Sequence, residues 1–394
     1  MTTSRRIRLI AGACAVAASW WAVALSGAGQ APVPRTPTSP PAPALGPWLE
    51  PDAPFFSSVL DARRVGRGLP TANLSPRAIV LPAGAHRVAF DPDLLRVAAI
   101  WRGAGVTPTA LAPGSYHKPD RKTPGGQNAL PEPDGPVLIA TGIHPGWQCG
   151  DRPDFSDPRS PAPSPGEVGR GPLDAAQGRF TAVRLTRDGA VLEYDVAGTP
   201  VREWVSPVPG RPGAMVRRFE TGPSTRTLWL VLGVLAPGVD VSVAAEGSAR
   251  PALETVAAAV DGAPAQVVRV PPHASALRFA VSIFDDGAAP PVTLTAVPSV
   301  PPGRRWRQAV TTSVNASPST DAFVVDDVAL PVENPWRRGV RPADIQFFAD
   351  GTAAIVTLDG DVWLARGLAE AGHRASGTGH RIGRAAVEWR RFAS

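Results

Sequence analysis

Residues 179–205 read RFTAVRLTRDGAVLEYDVAGTPVREWV, and this stretch predicts three consecutive β-strands. Asp188-Gly189 and Gly198 supply the positive φ that tight hairpins require. The three apolar and β-branched runs around these turns have the length of strands: Arg179–Thr186, Ala190–Val196 and Pro200–Val205. The stretch therefore predicts an antiparallel meander, in which the chain reverses after each strand.

Similar short apolar runs, separated by turn residues, occur on both sides of this meander. Before it lie Ala78–Leu81, Arg87–Phe90 and Leu94–Trp101, and after it lie Met215–Glu220, Arg226–Leu232, Val239–Ala244, Gln266–Val270, Leu277–Ile283 and Val292–Ala296. The 46 prolines and 39 glycines in 394 residues argue against long helices. Strands that recur after about ten residues are typical of two packed antiparallel sheets. We predict an all-β fold, with an antiparallel β-sandwich-like domain over residues 55–300.

A second meander is predicted near the C-terminus. Its three strands are Ala343–Phe348, Ala353–Leu358 and Val362–Ala365, separated by the hairpin signals Asp350-Gly351 and Asp359-Gly360. A propeller blade has this shape, but a propeller ring requires several blades. We therefore assign residues 343–394 to a partial propeller blade and tail, and residues 301–342 to a connector. The open edges of such a sheet invite association with another chain.

The N-terminal residues predict export. Residues 1–31 carry Arg5, Arg6 and Arg8, then the apolar run Leu9–Leu25, then small residues of the kind found at a signal-peptidase site. The apolar run is long, which leaves an uncleaved membrane anchor as an alternative. Residues 32–54 form a proline-rich linker of extended character. We expect a periplasmic, cell-envelope or extracellular location.

Charge and cysteine content argue against a nucleic-acid-binding protein and against an internal disulfide. The formal net charge is +6, yet the arginines are scattered and Lys118 and Lys122 are the only lysines. Nucleic-acid binding requires clustered basic residues, so we do not expect it. Cleavage after residue 31 would leave Cys149 as the only cysteine, which excludes an internal disulfide.

Motifs for catalysis are absent from the sequence. It contains no phosphate-binding loop, dinucleotide fingerprint, serine-hydrolase elbow or zinc-protease motif. The six histidines are too far apart in sequence to suggest a metal site, and we predict no cofactor. Asp91 and Asp93 flank Pro92 in a turn, where carboxylates usually cap backbone N–H groups. A glycosidase pair is the alternative, but carboxylates two residues apart rarely adopt the opposed geometry that it requires.

Several segments resemble a known family. They are Phe90–Trp101 (FDPDLLRVAAIW), Tyr116, Val137–Trp147 (VLIATGIHPGW), Leu330–Trp336 (LPVENPW), Arg341–Gly351 (RPADIQFFADG), Gly360–Leu364 (GDVWL) and Val387–Phe392 (VEWRRF). They resemble the N-terminal domain of large exported planctomycete- and verrucomicrobial-type proteins. In that family the domain precedes a sorbosone-dehydrogenase-like β-propeller and often a c-type cytochrome module.

The resemblance implies an association with sugar oxidation, but this chain departs from the family pattern. It has no Cys-x-x-Cys-His motif, so it cannot attach haem covalently, and the remaining propeller blades are not present. It looks like a stand-alone or truncated version of the leading domain.

Five aromatic and polar residues are the candidate ligand-binding site: Trp101, Tyr116, His117, His144 and Trp147. They bracket the long irregular segment Pro113–Pro136. Aromatic faces exposed on a β-sandwich can stack on sugar rings while neighbouring polar groups bind hydroxyls. The alternative is that Trp101 and Trp147 are core residues.

Two functional hypotheses follow. The first is an exported, non-enzymatic binding or assembly module, with carbohydrate as the expected ligand. The second is the leading domain of a split or truncated sugar-oxidising system, whose propeller and cytochrome modules lie on a partner chain. In the second case the chain is an accessory of an oxidoreductase.

Overall fold

The computed structural model describes most of the chain beyond residue 52. The described residues are 53–107, 130–161, 170–187, 189–245, 253–260, 262–299, 305–315, 317, 319, 321, 323–336, 338–358, 360–368 and 386–393. Within these ranges, no helix is long and apolar enough to cross a membrane.

The described chain consists of β-strands and connecting segments, which confirms the predicted all-β class. In chain order the strands are β1 (Phe56–Asp61), β2 (Leu74–Ala83), β3 (His86–Asp91), β4 (Arg96–Arg102), β5 (Gly105–Val106), β6 (Pro133–Asp134), β7 (Val137–Ala140), β8 (Trp147–Cys149), β9 (Gly178–Leu185), β10 (Ala190–Val196), β11 (Thr199–Val208), β12 (Arg211–Thr221), β13 (Leu228–Leu235), β14 (Asp240–Ala245), β15 (Glu254–Val260), β16 (Ala263–Val270), β17 (Leu277–Phe284), β18 (Val310–Asn315), β19 (Asp327–Val328), β20 (Pro342–Phe347), β21 (Ala353–Thr357), β22 (Val362–Arg366) and β23 (Ala386–Ala393).

Two large antiparallel sheets form the sandwich. The first has nine strands, in the order β1-β2-β3-β4-β7-β13-β16-β15, with β8 also paired to β13. The second has six strands, in the order β14-β17-β12-β11-β10-β9. One hydrophobic core contains side chains from both sheets, among them Ile100 and Leu230 from the first, and Leu192, Phe219 and Val281 from the second. Each sheet therefore buries one face against the other.

The nine-stranded sheet is buried on its other face as well. All six residues of β3 and six of the seven residues of β4 are buried, without the alternation of a half-exposed strand. A second hydrophobic cluster on this side contains Trp101, Leu60 and Val80, together with Ala62 and Leu69 from the segment after β1. This cluster explains why the sequence of β4 reads as a continuous apolar run.

The hairpin turns that the structure describes lie where the sequence predicts them, while Asp188 and Asp359 of two predicted turns lie outside the described residues. Residues Val196 and Thr199 pair across the β10–β11 turn, so the loop consists of Ala197 and Gly198 alone. Both have positive φ, 50° and 90°, as a type I′ turn requires. Gly351 and Gly360 adopt positive φ in the turns that connect β20 with β21 and β21 with β22.

The C-terminal meander is larger than predicted. Its strands belong to a six-stranded antiparallel sheet with the order β19-β18-β23-β22-β21-β20. Strands β18 and β19 come from residues 301–342, so the prediction that this segment is only a connector was wrong. One face of the sheet is covered by a core of its own, which includes Trp336, Trp363 and Trp389.

One predicted strand does not form. Val292–Ala296 lies in residues 285–299, which contain no strand. The run is short and interrupted by polar residues, so pairing would bury little apolar area. Conversely, β1, β15, β18 and β23 were not predicted as separate strands.

Candidate functional site

Trp101 and Trp147 lie inside the molecule, with relative exposures of 0% and 1%. The Trp101 indole N–H donates to the Gly105 carbonyl oxygen at 2.7 Å, and its ring belongs to the cluster behind the nine-stranded sheet. The Trp147 ring lies between the two sheets. Neither ring presents a face to solvent, so the hypothesis that they stack on a sugar at the surface was wrong and the alternative, that both are core residues, is confirmed.

The remaining candidate residues do not complete a surface site either. His144 is buried. Its Nδ1 lies 3.1 Å from the Pro145 carbonyl oxygen, and its ring makes an edge contact with the ring of Phe155. Tyr116 and His117 lie outside the described residues. Within the described ranges, no group of three or more His, Cys, Asp or Glu residues could hold a metal ion.

Arg96 is the centre of a buried polar network that the sequence did not predict. Its side chain has no exposed surface and forms an ion pair with Asp91 at 3.1 Å. The guanidinium also donates to Asn73 Oδ1 at 2.9 Å and to the Gly142 carbonyl oxygen at 2.7 Å. The same nitrogen, Nη1, also lies 3.0 Å from Thr141 Oγ1, and Nη2 donates to the Leu74 carbonyl oxygen. One arginine thus connects β2, β3 and β4 to the segment after β7.

The backbone around Arg96 is tightly constrained. Leu95 is buried and has φ of 48°, a conformation that is costly for a residue other than glycine. A Cβ added at Gly146 would lie 2.3 Å from the Arg96 Cα. The approach of the segment before β8 to this turn therefore requires glycine at position 146.

Asp91 and Asp93 have structural roles, as their position in a turn indicates. The Asp91 carboxylate accepts the Asp93 backbone N–H at 3.1 Å, which confirms the predicted cap. Each carboxylate is also paired with an arginine, Asp91 with Arg96 and Asp93 with Arg77. Two carboxylates that are held by separate arginines on one turn do not face each other across a substrate.

A second buried network connects the two sheets. The Trp147 indole N–H donates to the Tyr194 hydroxyl at 2.8 Å, and this hydroxyl donates to Glu203 Oε2 at 2.7 Å. Glu203 Oε1 accepts from Arg217 Nε at 2.8 Å. Burial, reinforced by the Glu203 carboxylate, raises the pKa of Tyr194 well above its ordinary value of 10.0. The hydroxyl therefore stays protonated and acts as a fixed hydrogen-bond donor.

His86 provides a pH-dependent contribution to stability. Its ring is buried, and within the described chain its Nε2 has no hydrogen-bond partner. Burial, followed by the charge of Arg102, lowers the pKa of His86 below 6.5. In the unfolded chain the His86 ring therefore binds a proton near pH 6.5, whereas in the folded chain it stays neutral to a lower pH. The free energy of unfolding consequently falls as the pH drops below 6.5.

We expect the free energy of unfolding to decrease from pH 7 towards pH 5, and His86→Gln to make this decrease smaller. Urea denaturation at a series of pH values measures both slopes. Equal slopes for the two proteins would show that His86 does not titrate differently in the folded and unfolded states.

One exposed apolar surface lies on the C-terminal sheet. Six large apolar side chains there are 41–70% exposed, and we call them the edge patch: Ile345, Phe347, Phe348, Val356, Leu358 and Phe392. All six residues of β20 are exposed. Among the described residues only β21 pairs with this strand, so β20 is an edge of the sheet in this part of the chain.

Backbone groups of β20 also point outward along this edge. Phe348 donates its N–H to the Thr352 carbonyl oxygen, and Ile345 and Phe347 pair with Ile355 and Ala353. Because an antiparallel ladder alternates, the N–H and C=O groups of Ile345 and Phe347 face the open side. The Ile345 N–H donates to the carboxylate of its neighbour Asp344 at 2.8 Å. This contact agrees with the outward direction.

Comparison with known proteins identifies one similar region. Residues 88–203 match a family model described as a domain of unknown function (DUF6797). No curated protein and no solved structure matches the chain. The matched region runs from β3 into β11 and contains Arg96, Trp147, Tyr194 and Glu203, so it includes most of both buried networks.

Proposed function

We propose that this chain is an exported, non-enzymatic assembly module that binds a second copy of itself through β20. The observation that carries the proposal is the open edge: β20 is exposed along its whole length, pairs on one side only within the described ranges, and carries two large apolar side chains. Soluble proteins usually protect such an edge with lysine, proline within the strand, or a covering segment. Strand β20 has two such features, Pro342 at its first position and the charged residue Asp344, and its register with β21 shifts between them. Neither feature falls within Ile345–Phe347, so this part of the edge is left without such protection.

The sequence of β20 is compatible with pairing to itself. If two copies pair antiparallel about Gln346, Ile345 of each copy lies opposite Phe347 of the other. The outward N–H and C=O groups of both residues then form two hydrogen-bonded pairs across the seam. Apolar cross-strand pairs contribute roughly 0.2–1 kcal/mol each, in addition to the burial of their surface.

Charge does not oppose this arrangement. In the same register Asp344 lies opposite Phe348 of the second copy, so the two carboxylates do not face each other. The Asp344 carboxylate accepts the Ile345 N–H in the separate chain. It must release this donor when the strands pair, which makes the association weaker than that of an uncapped edge and reversible.

The test is the double variant Ile345→Lys with Phe347→Lys, compared with the unchanged protein by sedimentation velocity at increasing concentration. We expect the unchanged protein to form dimers and the variant to associate more weakly by roughly tenfold or more, because each copy would place two charges in the seam. The variant should unfold at the same denaturant concentration, since both side chains are already exposed.

A matched control places two lysines at other exposed apolar positions, Phe323→Lys with Val325→Lys. This control should dimerise like the unchanged protein. A protein that remains monomeric at all concentrations, or an edge variant that dimerises equally well, would refute self-association through β20.

A second candidate rests on the order of the strands in the C-terminal sheet. Strands β20, β21, β22 and β23 are successive neighbours, as in the four-stranded blade of a propeller. This order favours a partner chain that carries the remaining blades, and the family resemblance adds the expectation that such a partner belongs to a sugar-oxidising system with a haem module. A neighbouring reading frame with Asp-Gly hairpins and a Cys-x-x-Cys-His motif would support it. The two edge lysines should then abolish the mixed complex while the unchanged chain alone stays monomeric.

A further inference from the structure

An array of alternating charges crosses the outer face of the six-stranded sheet of the sandwich. It consists of one residue from each of five adjacent strands, and we call it the Arg–Glu ladder: Arg184 (β9), Glu193 (β10), Arg202 (β11), Glu220 (β12) and Arg278 (β17). Leu192 and Tyr194 flank Glu193 and point into the core, so Glu193 points outward. The register places Arg202 directly opposite both Glu193 and Glu220.

Each glutamate of the ladder is held between two arginines. Arg184 Nε lies 2.6 Å from Glu193, and Arg202 Nε lies 3.5 Å from the same carboxylate. Arg202 Nη1 and Arg278 Nε lie 3.2 Å and 2.7 Å from Glu220. The carboxylates are therefore fixed in position and their charges are balanced by the guanidinium groups.

The arginines project further into solvent than the glutamates. The exposed fractions of the side chains are 56% for Arg184, 52% for Arg202 and 38% for Arg278, against 16% for each glutamate. A guanidinium carries five N–H donors in a planar fork, and the contacts with Glu193 and Glu220 occupy one on Arg184 and two on Arg202. The ladder thus presents cationic donors at intervals of two strands, roughly 9.5 Å.

We infer that the Arg–Glu ladder binds an acidic polysaccharide in which charged and uncharged sugars alternate. Carboxylates spaced two sugars apart can each reach one arginine, while hydroxyl groups between them can donate to Glu193 and Glu220. A polymer with a charge on every residue would place some of its anions over these glutamates. The alternating pattern therefore disfavours uniformly charged polysaccharides, because their additional anions would be repelled by the two glutamates.

Nucleic acid fits this surface less well. Phosphates follow each other closely along a strand and would face the glutamates as well as the arginines. Single-stranded nucleic acid also requires exposed aromatic rings for stacking, and the tryptophan on this face, Trp204, is only 5% exposed. The inference is independent of the proposed self-association, because no residue of the ladder belongs to the edge patch.

The ladder can be altered without unfolding the protein. Exposed cross-strand ion pairs contribute little to stability, so Arg202→Gln should leave the denaturation midpoint nearly unchanged. The matched control is Arg269→Gln, which removes an exposed arginine paired with Glu254 across β15 and β16 of the other sheet. Both variants carry the same net charge.

The experiment measures binding of hyaluronan oligosaccharides, which alternate a uronate with an uncharged sugar, by isothermal titration calorimetry at low ionic strength. Polygalacturonate, dextran and a single-stranded oligonucleotide are the comparison ligands. We expect hyaluronan to bind more tightly than the other three, Arg202→Gln to weaken its binding by roughly tenfold, and added salt to weaken it further. Arg269→Gln should bind like the unchanged protein.

Three results would overturn the inference. They are the absence of hyaluronan binding, equal losses for Arg202→Gln and Arg269→Gln, and tighter binding of polygalacturonate or of the oligonucleotide. Tighter binding of polygalacturonate or of the oligonucleotide would show that the ladder attracts polyanions in general. None of these results affects the test with the edge lysines, so the two proposals can fail separately.

Discussion

Replacing Asp91 with asparagine is expected to lower the free energy of unfolding by about 3–5 kcal/mol, because it leaves the guanidinium of Arg96 buried without a counter-ion. The guanidinium cannot escape to solvent, since its side chain has no exposed surface. It also cannot lose its proton at neutral pH, although burial lowers the pKa of Arg96. The remaining acceptors, such as Asn73 Oδ1, are neutral and cannot replace the carboxylate.

Urea denaturation at pH 7 measures this loss. Arg269→Gln is a suitable comparison, because it breaks an exposed ion pair and should cost at most about 1 kcal/mol. If Asp91→Asn and Arg269→Gln cost the same, the Arg96 network would not be a principal support of the nine-stranded sheet.

Trp147→Ala is expected to cost a similar amount, about 3–5 kcal/mol. The ring contacts Phe219, Phe279 and Tyr194 with centroid separations of 5.7 Å, 6.3 Å and 6.5 Å, so its removal creates a cavity between the sheets. The substitution also removes the indole N–H from the Tyr194 hydroxyl. Trp147→Phe should cost less, since it keeps an aromatic ring in the cavity but loses the hydrogen bond.

Chemical denaturation of both variants tests whether Trp147 packs in the core. Glycan binding by Trp147→Phe tests the other hypothesis, that the Trp147 ring stacks on a sugar. We expect the Phe variant to bind glycans as the unchanged protein does. A stable Trp147→Ala protein that had lost only glycan binding would contradict the assignment of Trp147 to the core.

Local patterns in the sequence were sufficient to predict the hairpins. Turn residues such as Gly198 and Gly351 are adjacent in sequence to the strands that they connect, and their conformational requirement is local. Strand β15 was missed because Glu254–Val260 contains one glutamate and three alanines, which have weak strand propensity. Strand β18 was missed because its partner β23 lies more than seventy positions later, at Trp389 and its neighbours.

The candidate sites depended on contacts between distant residues. Arginine is almost never fully buried unless it is paired, and the partners of Arg96 are 5 to 46 positions away in sequence. The glycine-rich surroundings of Trp147 have no strand period, so the sequence left a surface position and a core position for this residue as alternatives. The Arg–Glu ladder becomes visible only when the register of five strands is known. The sequence predicted exposed edges for the three-stranded C-terminal meander. Within the described residues β20 is such an edge, whereas β22, the other outer strand of the predicted meander, pairs with β23.

Residue-resolved hydrogen exchange of β20 tests the proposed assembly most directly, at low and at high protein concentration. Self-association predicts that the amide of Phe347, which faces the open edge, becomes protected as the concentration rises. The amide of Gln346, which faces β21, should exchange at the same rate in both samples. Rapid exchange at Phe347 under conditions where the protein is dimeric would contradict assembly through this strand.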